Sequence, residues 1–487
     1  MKIKAVLFGM GLLAAVPSMG QSPRDEYEAF RAQAQKKFES FRDECNSRYA
    51  DFLARSWQQV KVSPAIPRPE EAPPVPPVPY DEDDRRDDGR SPVDVTPVVI
   101  PTPDTRPVPQ PTPVSPVDED PFAATRPVAV SFYELTPKVR VPELRFNLGR
   151  RRPEDVAAAW KALSADSRLN NTIRDCLDVR SRYGLSDWAY LQFLDRLAQT
   201  VTRDSNEAAF LMAYLFCQSG YQMRLAEDSG RIFMLFGSRH LLFNTPRFII
   251  DDVNFYPYGA STQTLSVSNS IFDGEIPMSF RIETEQKLGD SLTEPRRISS
   301  ARYDDVSVTS RVPKALLTFF ESYPDSKYGD NFLTQWAIYA NTPLAEATKK
   351  LIYPDLAKAI EGLSELEKVE RLLNLVQTGF KYDYDTNVWG RERAFFAEET
   401  LYYPYDDCED RAILFSRLVR DLVGLDVALV YYPGHLATAI CFNDPVRGDA
   451  LQIDGRRFVI ADPTYVNAPV GQQMPDLNYS AIKAIVL

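Results

Sequence analysis

Apolar residues recur every three or four positions through four consecutive stretches, roughly 153–164, 168–181, 186–200 and 205–218. That period predicts four helices with buried faces. A short β pattern precedes them at 130–141, and strand-like alternation dominates from Tyr221 to about Val312. Long helices are predicted again at 344–360 and 364–379. The last stretch reads as a helix at 408–423 followed by strands at 426–432, 435–442, 450–454 and 456–461. The fold class expected from this order is α+β.

Two parts of the pattern repeat. Leu185-Ser186 opens a helix ending in Gln199-Thr200, and Leu363-Ser364 opens one ending in Gln377-Thr378, at an offset of 178. The helix running to Gly220 matches the one running to Gly424 at an offset of 204, and the hairpin 250–255 matches 453–458 at 203. Three elements in the same order predict one fold used twice; the plainer alternative is that any helix–glycine–strand unit looks alike. Under this alignment Cys408 falls opposite Asp204, His435 opposite Arg231 and Asp462 opposite Gly259.

Before the folded region the pattern changes character. Residues 23–60 read as one long polar helix with a near-heptad stripe of Phe30, Ala34, Phe38, Phe41, Cys45, Tyr49 and Phe52. Such a stripe suits self-association, or docking on the chain's own domain. From Val62 to Pro127 the chain is proline-rich and acidic and is expected to be an extended spacer. At the start, Lys2 and Lys4 precede an apolar run from Ala5 to Val16, with small Ser18 and Gly20 before Gln21. This is the pattern of a cleaved signal peptide. No cysteine follows the expected cut, so a lipoprotein anchor is not expected. The expected location is secreted or periplasmic, with no transmembrane anchor after cleavage.

Composition sharpens this only modestly. The 487 residues are 44% hydrophobic, with a net charge of −12. The acid excess argues against nucleic acid as a partner. A Gly9, Gly11, Ala14 string lies in the targeting segment and is not a dinucleotide site. Five cysteines cannot all pair, and two histidines exclude a multi-histidine metal site. The sequence calls for no cofactor and no metal.

Candidate chemistry lies in the last third. Pro404 and the acids around Asp407 suit a turn into a helix N-terminus, which puts Cys408 at the start of a mostly apolar helix ended by Gly424. Unpaired N–H groups there favour a thiolate and can bind an oxyanion. His435 opens a strand after Pro433-Gly434, and Asp462 closes another before Pro463. Cys408, His435 and Asp462 can therefore act as nucleophile, base and orienter. The acids from Asp406 to Asp410 oppose thiolate formation unless their side chains point away from the sulfur. Tyr405 is the leading candidate for a second oxyanion donor, with Trp389 and Gln377 behind it. Cys441, six residues along the strand from His435, is too far to bridge Cys408.

The strings Asp407-Cys408-Glu409-Asp410-Arg411-Ala412, Leu422-Val423-Gly424-Leu425, Gly434-His435-Leu436-Ala437 and Asp462-Pro463-Thr464 resemble the transglutaminase-like superfamily, and Phe395–Leu401 resembles its loop before the cysteine. The resemblance covers residues 364–470 or so. It implies a papain-like core, with a buried Cys helix against an antiparallel sheet, and the triad Cys408, His435 and Asp462. The family more often has a small residue where Asp407 stands.

Together these features divide the chain into a signal peptide (1–20), a long polar helix (21–61), a proline-rich linker (62–127), an inactive transglutaminase-like copy (128–258), a β-rich insertion (259–320) and a transglutaminase-like catalytic domain (321–487). The expected function is a thiol hydrolase, a peptidase or amidase acting through a thioester on a protein or peptide, cell-wall peptide included. The alternatives are transglutaminase cross-linking and a non-catalytic assembly or adhesion protein.

Overall fold

The structure is a computed structural model that describes residues 23–69, 72–85, 90–99, 127–259, 264–478 and 481–487. The predicted signal peptide lies outside the described residues. The fold is mixed α+β, with 12 helices among the described residues, a nearly closed six-strand antiparallel barrel and a curled half-barrel sheet.

The barrel comes from the first half. Read across, its strands are Gln58–Lys61, Thr264–Val267, Met223–Asp228, Arg231–Ser238, Val253–Pro257 and Phe248–Ile250. Closure comes from Ser63, just past the first of these, which bridges Arg247 beside the last. The second sheet runs Val93–Asp94, Ala450–Ile453, Arg456–Ala461, His435–Cys441, Asp426–Tyr432 and Lys483–Val486. Each sheet follows a buried helix, Ser205–Gln218 in the first half and Cys408–Leu422 in the second. Leaving aside the short His240–Leu242 strand, both sheets place the five strands after the helix in one order: third, fourth, second, first, fifth. The sixth strand differs. It joins antiparallel beside the fifth strand in the barrel and parallel beside the third in the other sheet.

Local chemistry accounts for the matched helices. Ser186 and Ser364 both cap a helix through their side chains, accepting from the amides of Ala189 and Glu367. Asp204 caps Ser205–Gln218 by accepting from Asn206 and Glu207, and Asp407 stands in the same place before Cys408. Matching these helix starts sets Cys408 opposite Ser205, one residue from the Asp204 expected by counting back from the terminal glycine.

Several expected boundaries shift. The first helix spans Pro23–Leu53 rather than continuing to 61, and the barrel strand Gln58–Lys61 follows it. Its predicted stripe does not bury as a unit. Cys45 and Tyr49 are buried, with Arg42, Asn46, Ala50 and Leu53, whereas Phe30, Phe41 and Phe52 are exposed. The buried half docks through hydrogen bonds as well as packing: Trp160 Nε1 and Gln218 Nε2 both donate to Asn46 Oδ1, at 2.8 and 3.0 Å.

The described parts of the proline-rich stretch are not a free spacer. They lie against both halves, through Ile66 beside Phe243, Pro79 beside Val466, and Val93–Asp94 in the second sheet. Backbone groups that prolines leave unpaired find partners along sheet edges and turns.

The expected β-rich insertion also dissolves into its neighbours. Thr264–Val267 completes the barrel, and the hairpin Arg296–Ser299 with Ser307–Ser310 packs on the second half. There Ser300 Oγ donates to Asn374 Oδ1 at 2.6 Å. Among the described residues, no helix is long and apolar enough to cross a membrane.

Candidate active site

The helix Cys408–Leu422 packs one face on the strands Asp426–Tyr432 and His435–Cys441. Its first turn is held by several reciprocal contacts. Asp410 Oδ2 accepts from the Asp407 amide at 3.4 Å and its Oδ1 from the Phe395 amide at 2.7 Å. Arg411, 1% exposed, pairs with Asp406 at 2.8 Å and donates to the carbonyls of Gln377 and Phe380. These contacts fix the approach to Cys408 from three separate segments.

His435 and Asp462 meet as the strand ends suggest. His435 Nε2 lies 2.8 Å from Asp462 Oδ2, with both side chains fully buried. Asp462 Oδ1 accepts from the amides of Thr464 and Tyr465 at 2.9 and 3.3 Å. His435 Nδ1 is buried and has no hydrogen-bond partner.

Cys408 and His435 line one cleft, together with Trp336, Tyr382, Tyr384 and Tyr431. The Cys408 sulfur, however, donates to Glu409 Oε2 at 3.2 Å. Glu409 therefore points at the thiol, and its other oxygen and Asp407 Oδ1 are buried without partners. Burial, then Glu409 and Asp407, push the Cys408 thiol well above its ordinary range, and the Leu436 amide against the sulfur opposes them.

The other expected residues fall in different places. Tyr405 is 37% exposed and does not line the cleft. It pairs in a two-residue parallel strand with Lys381–Tyr382, where alternation turns Asp406 inward and Tyr405 out. Trp389 packs on Phe395 and Tyr403 beneath the Arg393 guanidinium. Gln377 is buried and donates from Nε2 to the carbonyls of Asp462, Tyr465 and Ala468, so it positions the Asp462 loop. All five cysteines are free, and Cys441 sits at the far end of its strand from His435.

Two acids that sequence spacing did not reveal, Asp385 and Glu392, join Asp407 and Glu409 in the cleft. Asp385, Glu392, Asp407 and Glu409 each offer a carboxylate oxygen, and these oxygens lie within 4.8 Å of one another. Hard oxygen ligands at such spacing could hold a divalent cation. Burial, followed by the charge of Glu409, raises Asp385 to about 8 and lifts Glu392 as well. The charge of Arg68, from the proline-rich stretch, acts against both shifts. Asp385 follows a two-residue strand and Glu392 lies in a loop, so no periodicity marks either one.

No protein-family model matches the chain, and no curated protein sequence matches it.

Proposed function

We propose that the second half is an exported thiol hydrolase of transglutaminase-like type, acting on amide bonds of a protein or peptide, and that the barrel half is a duplicated copy without the chemical set. One observation carries the reading: His435, bonded through Nε2 to buried Asp462 and left without a partner at Nδ1, lines the same cleft as Cys408. A satisfied structural histidine would have both nitrogens occupied. The shared strand order of the two sheets supports duplication.

In this reading the resting thiol keeps its proton and turns from Glu409 to His435 when substrate enters. The sulfur attacks the amide carbonyl as its proton passes to His435 Nδ1. The imidazolium, stabilised by Asp462, then protonates the leaving nitrogen, and the C–N bond breaks to leave a thioester. Water activated by His435 releases the acid and restores the thiol. The Cys408 backbone N–H, at the helix start, is one oxyanion donor.

The test is release of ammonia or peptide from glutamine-containing and peptide substrates, with and without a primary amine. Hydrolysis lost in Cys408→Ala and His435→Ala supports the proposal. Amine incorporation in excess of hydrolysis would favour transglutaminase chemistry instead. A second reading, a non-catalytic assembly protein, is favoured by the hydrogen bond that ties the thiol to Glu409. A folded protein whose Cys408 resists iodoacetamide with the cleft open, and does so equally with and without His435, would select it.

A further inference from the structure

We infer that Ala72–Tyr80 is an intramolecular strap that closes the Cys408 cleft and must be released before a polypeptide can reach the thiol. Ala72 and Pro74 form part of the cleft wall together with Cys408 and His435. Five of the nine residues from 72 to 80 are proline, so the segment is stiff and has few amides to anchor it. Two of them are used. The Val75 amide donates to Gly434 O and the Tyr80 amide to Val466 O, each at 2.9 Å.

The fold is shaped to receive this strap. Gly434, immediately before His435, has φ +80°, and a Cβ there would stand 2.2 Å from Pro73 O. Only glycine allows the strap to lie this close to the base. Val75, Val78 and Tyr80 pack on the core of the second sheet, with the Tyr80 ring edge-on to Tyr465 at 5.6 Å. Charge matches as well, since the positive charge of Arg68, just upstream, favours the ionised forms of Asp385 and Glu392, which line the same cleft. The chain on either side is tied down, by Ile66 beside Phe243 in the first half and by Val93–Asp94 in the second sheet. A segment fixed at both ends, and held between them by two amides and the Val75, Val78 and Tyr80 side chains, can lift without leaving.

The inference rests on the proposed site but not on its chemistry. The experiment uses the full chain as wild type, Val75→Pro, Tyr80→Ala and the double variant. Val75→Pro removes one donor, and Tyr80→Ala removes the ring contact. Hydrogen exchange over residues 72–80 reports release, and peptide mapping follows labelling of Cys408 by a bulky maleimide. Labelling at least about tenfold faster, in step with exchange, is expected. Unchanged labelling of both Cys408 and a Cys introduced elsewhere in the cleft, in a variant whose strap exchanges freely, overturns the inference, as does a double variant whose strap stays protected. To separate access from thiol reactivity, each variant is repeated with Tyr431→Cys, a cleft residue outside the triad. If Cys408 stays unlabelled while Cys introduced at 431 gains with release, the strap stands and the proposed nucleophile falls. If neither gains, the strap falls.

Discussion

The two halves place five strands in the same order behind a helix, yet differ where that helix begins. In the second half the first helical residue is Cys408, 7% exposed and under the Leu436 amide. In the first it is Ser205, exposed to solvent. The amide that corresponds to Leu436 is that of Ile232, and there the Asn206 side chain takes it, at 2.8 Å. Opposite His435 stands exposed Arg231, its guanidinium 5.1 Å over the Phe233 ring. One helix–hairpin junction is thus strutted by a carboxamide, and the other carries a thiol where a strut would stand. The strand order alone does not require the chemical set.

The acids differ in the same way. In the first half Asp166 is held below the usual carboxylate range, chiefly by its bond from Arg168. In the second, burial pushes Asp406 up to about 6, Glu398 and Glu399 to about 7 and Asp385 to about 8.

The largest expected effect is on turnover. Under the proposed function, Cys408→Ala should reduce amide hydrolysis on the order of a thousandfold or more, as loss of a nucleophile does, while Ser205→Cys in the first half should add none to that variant. Activity from the Cys placed at 205 would break the contrast. Next comes stability. Arg411→Met leaves Asp406 buried beside unpaired carbonyls and should cost about 3 kcal/mol in urea unfolding. Asn206→Ala should cost about 1–3 kcal/mol by orphaning the Ile232 amide, whereas Cys408→Ala should cost under about 1 kcal/mol. Equal losses would mean that the two junctions are built alike.

The two halves should also differ in their response to pH. A carboxyl whose folded pKa is raised binds more protons folded than unfolded, so its contribution is complete below the ordinary carboxylate range and is lost as pH rises through the folded value. Asp406, Glu398, Glu399 and Asp385 should therefore loosen the second half between about pH 4 and pH 8. Asp166 acts oppositely, contributing above the ordinary range and losing its contribution as pH falls below it. Hydrogen exchange at pH 5 and pH 8 should show protection falling around 385–410 and steady around 187–218. A fall of the same size in both halves would contradict this.

Much of the secondary structure was legible in the sequence because it is local. Helices 153–164 and 205–218 and strands 426–432 and 456–461 match the predicted spans to the residue. Side-chain period, serine and aspartate caps and turn glycines set these elements without reference to distant residues. The same rules place Cys408 at a helix start and His435 and Asp462 at strand ends, which is why the His435–Asp462 pair could be anticipated. Short elements such as Lys381–Tyr382 were missed because two residues carry no period.

The sequence by itself determined the periodic elements, their order and the positions of the residues proposed as nucleophile, base and orienter. The tertiary structure decided what surrounds them. It turned Glu409 onto the thiol, brought Asp385 and Glu392 into the same cleft, moved Tyr405 outward, and set Ala72 and Pro74 in the cleft wall. The physical reason is range. A helix or strand is specified by neighbours along the chain, whereas sheet edges, buried charges and cleft walls depend on which distant groups arrive to satisfy them.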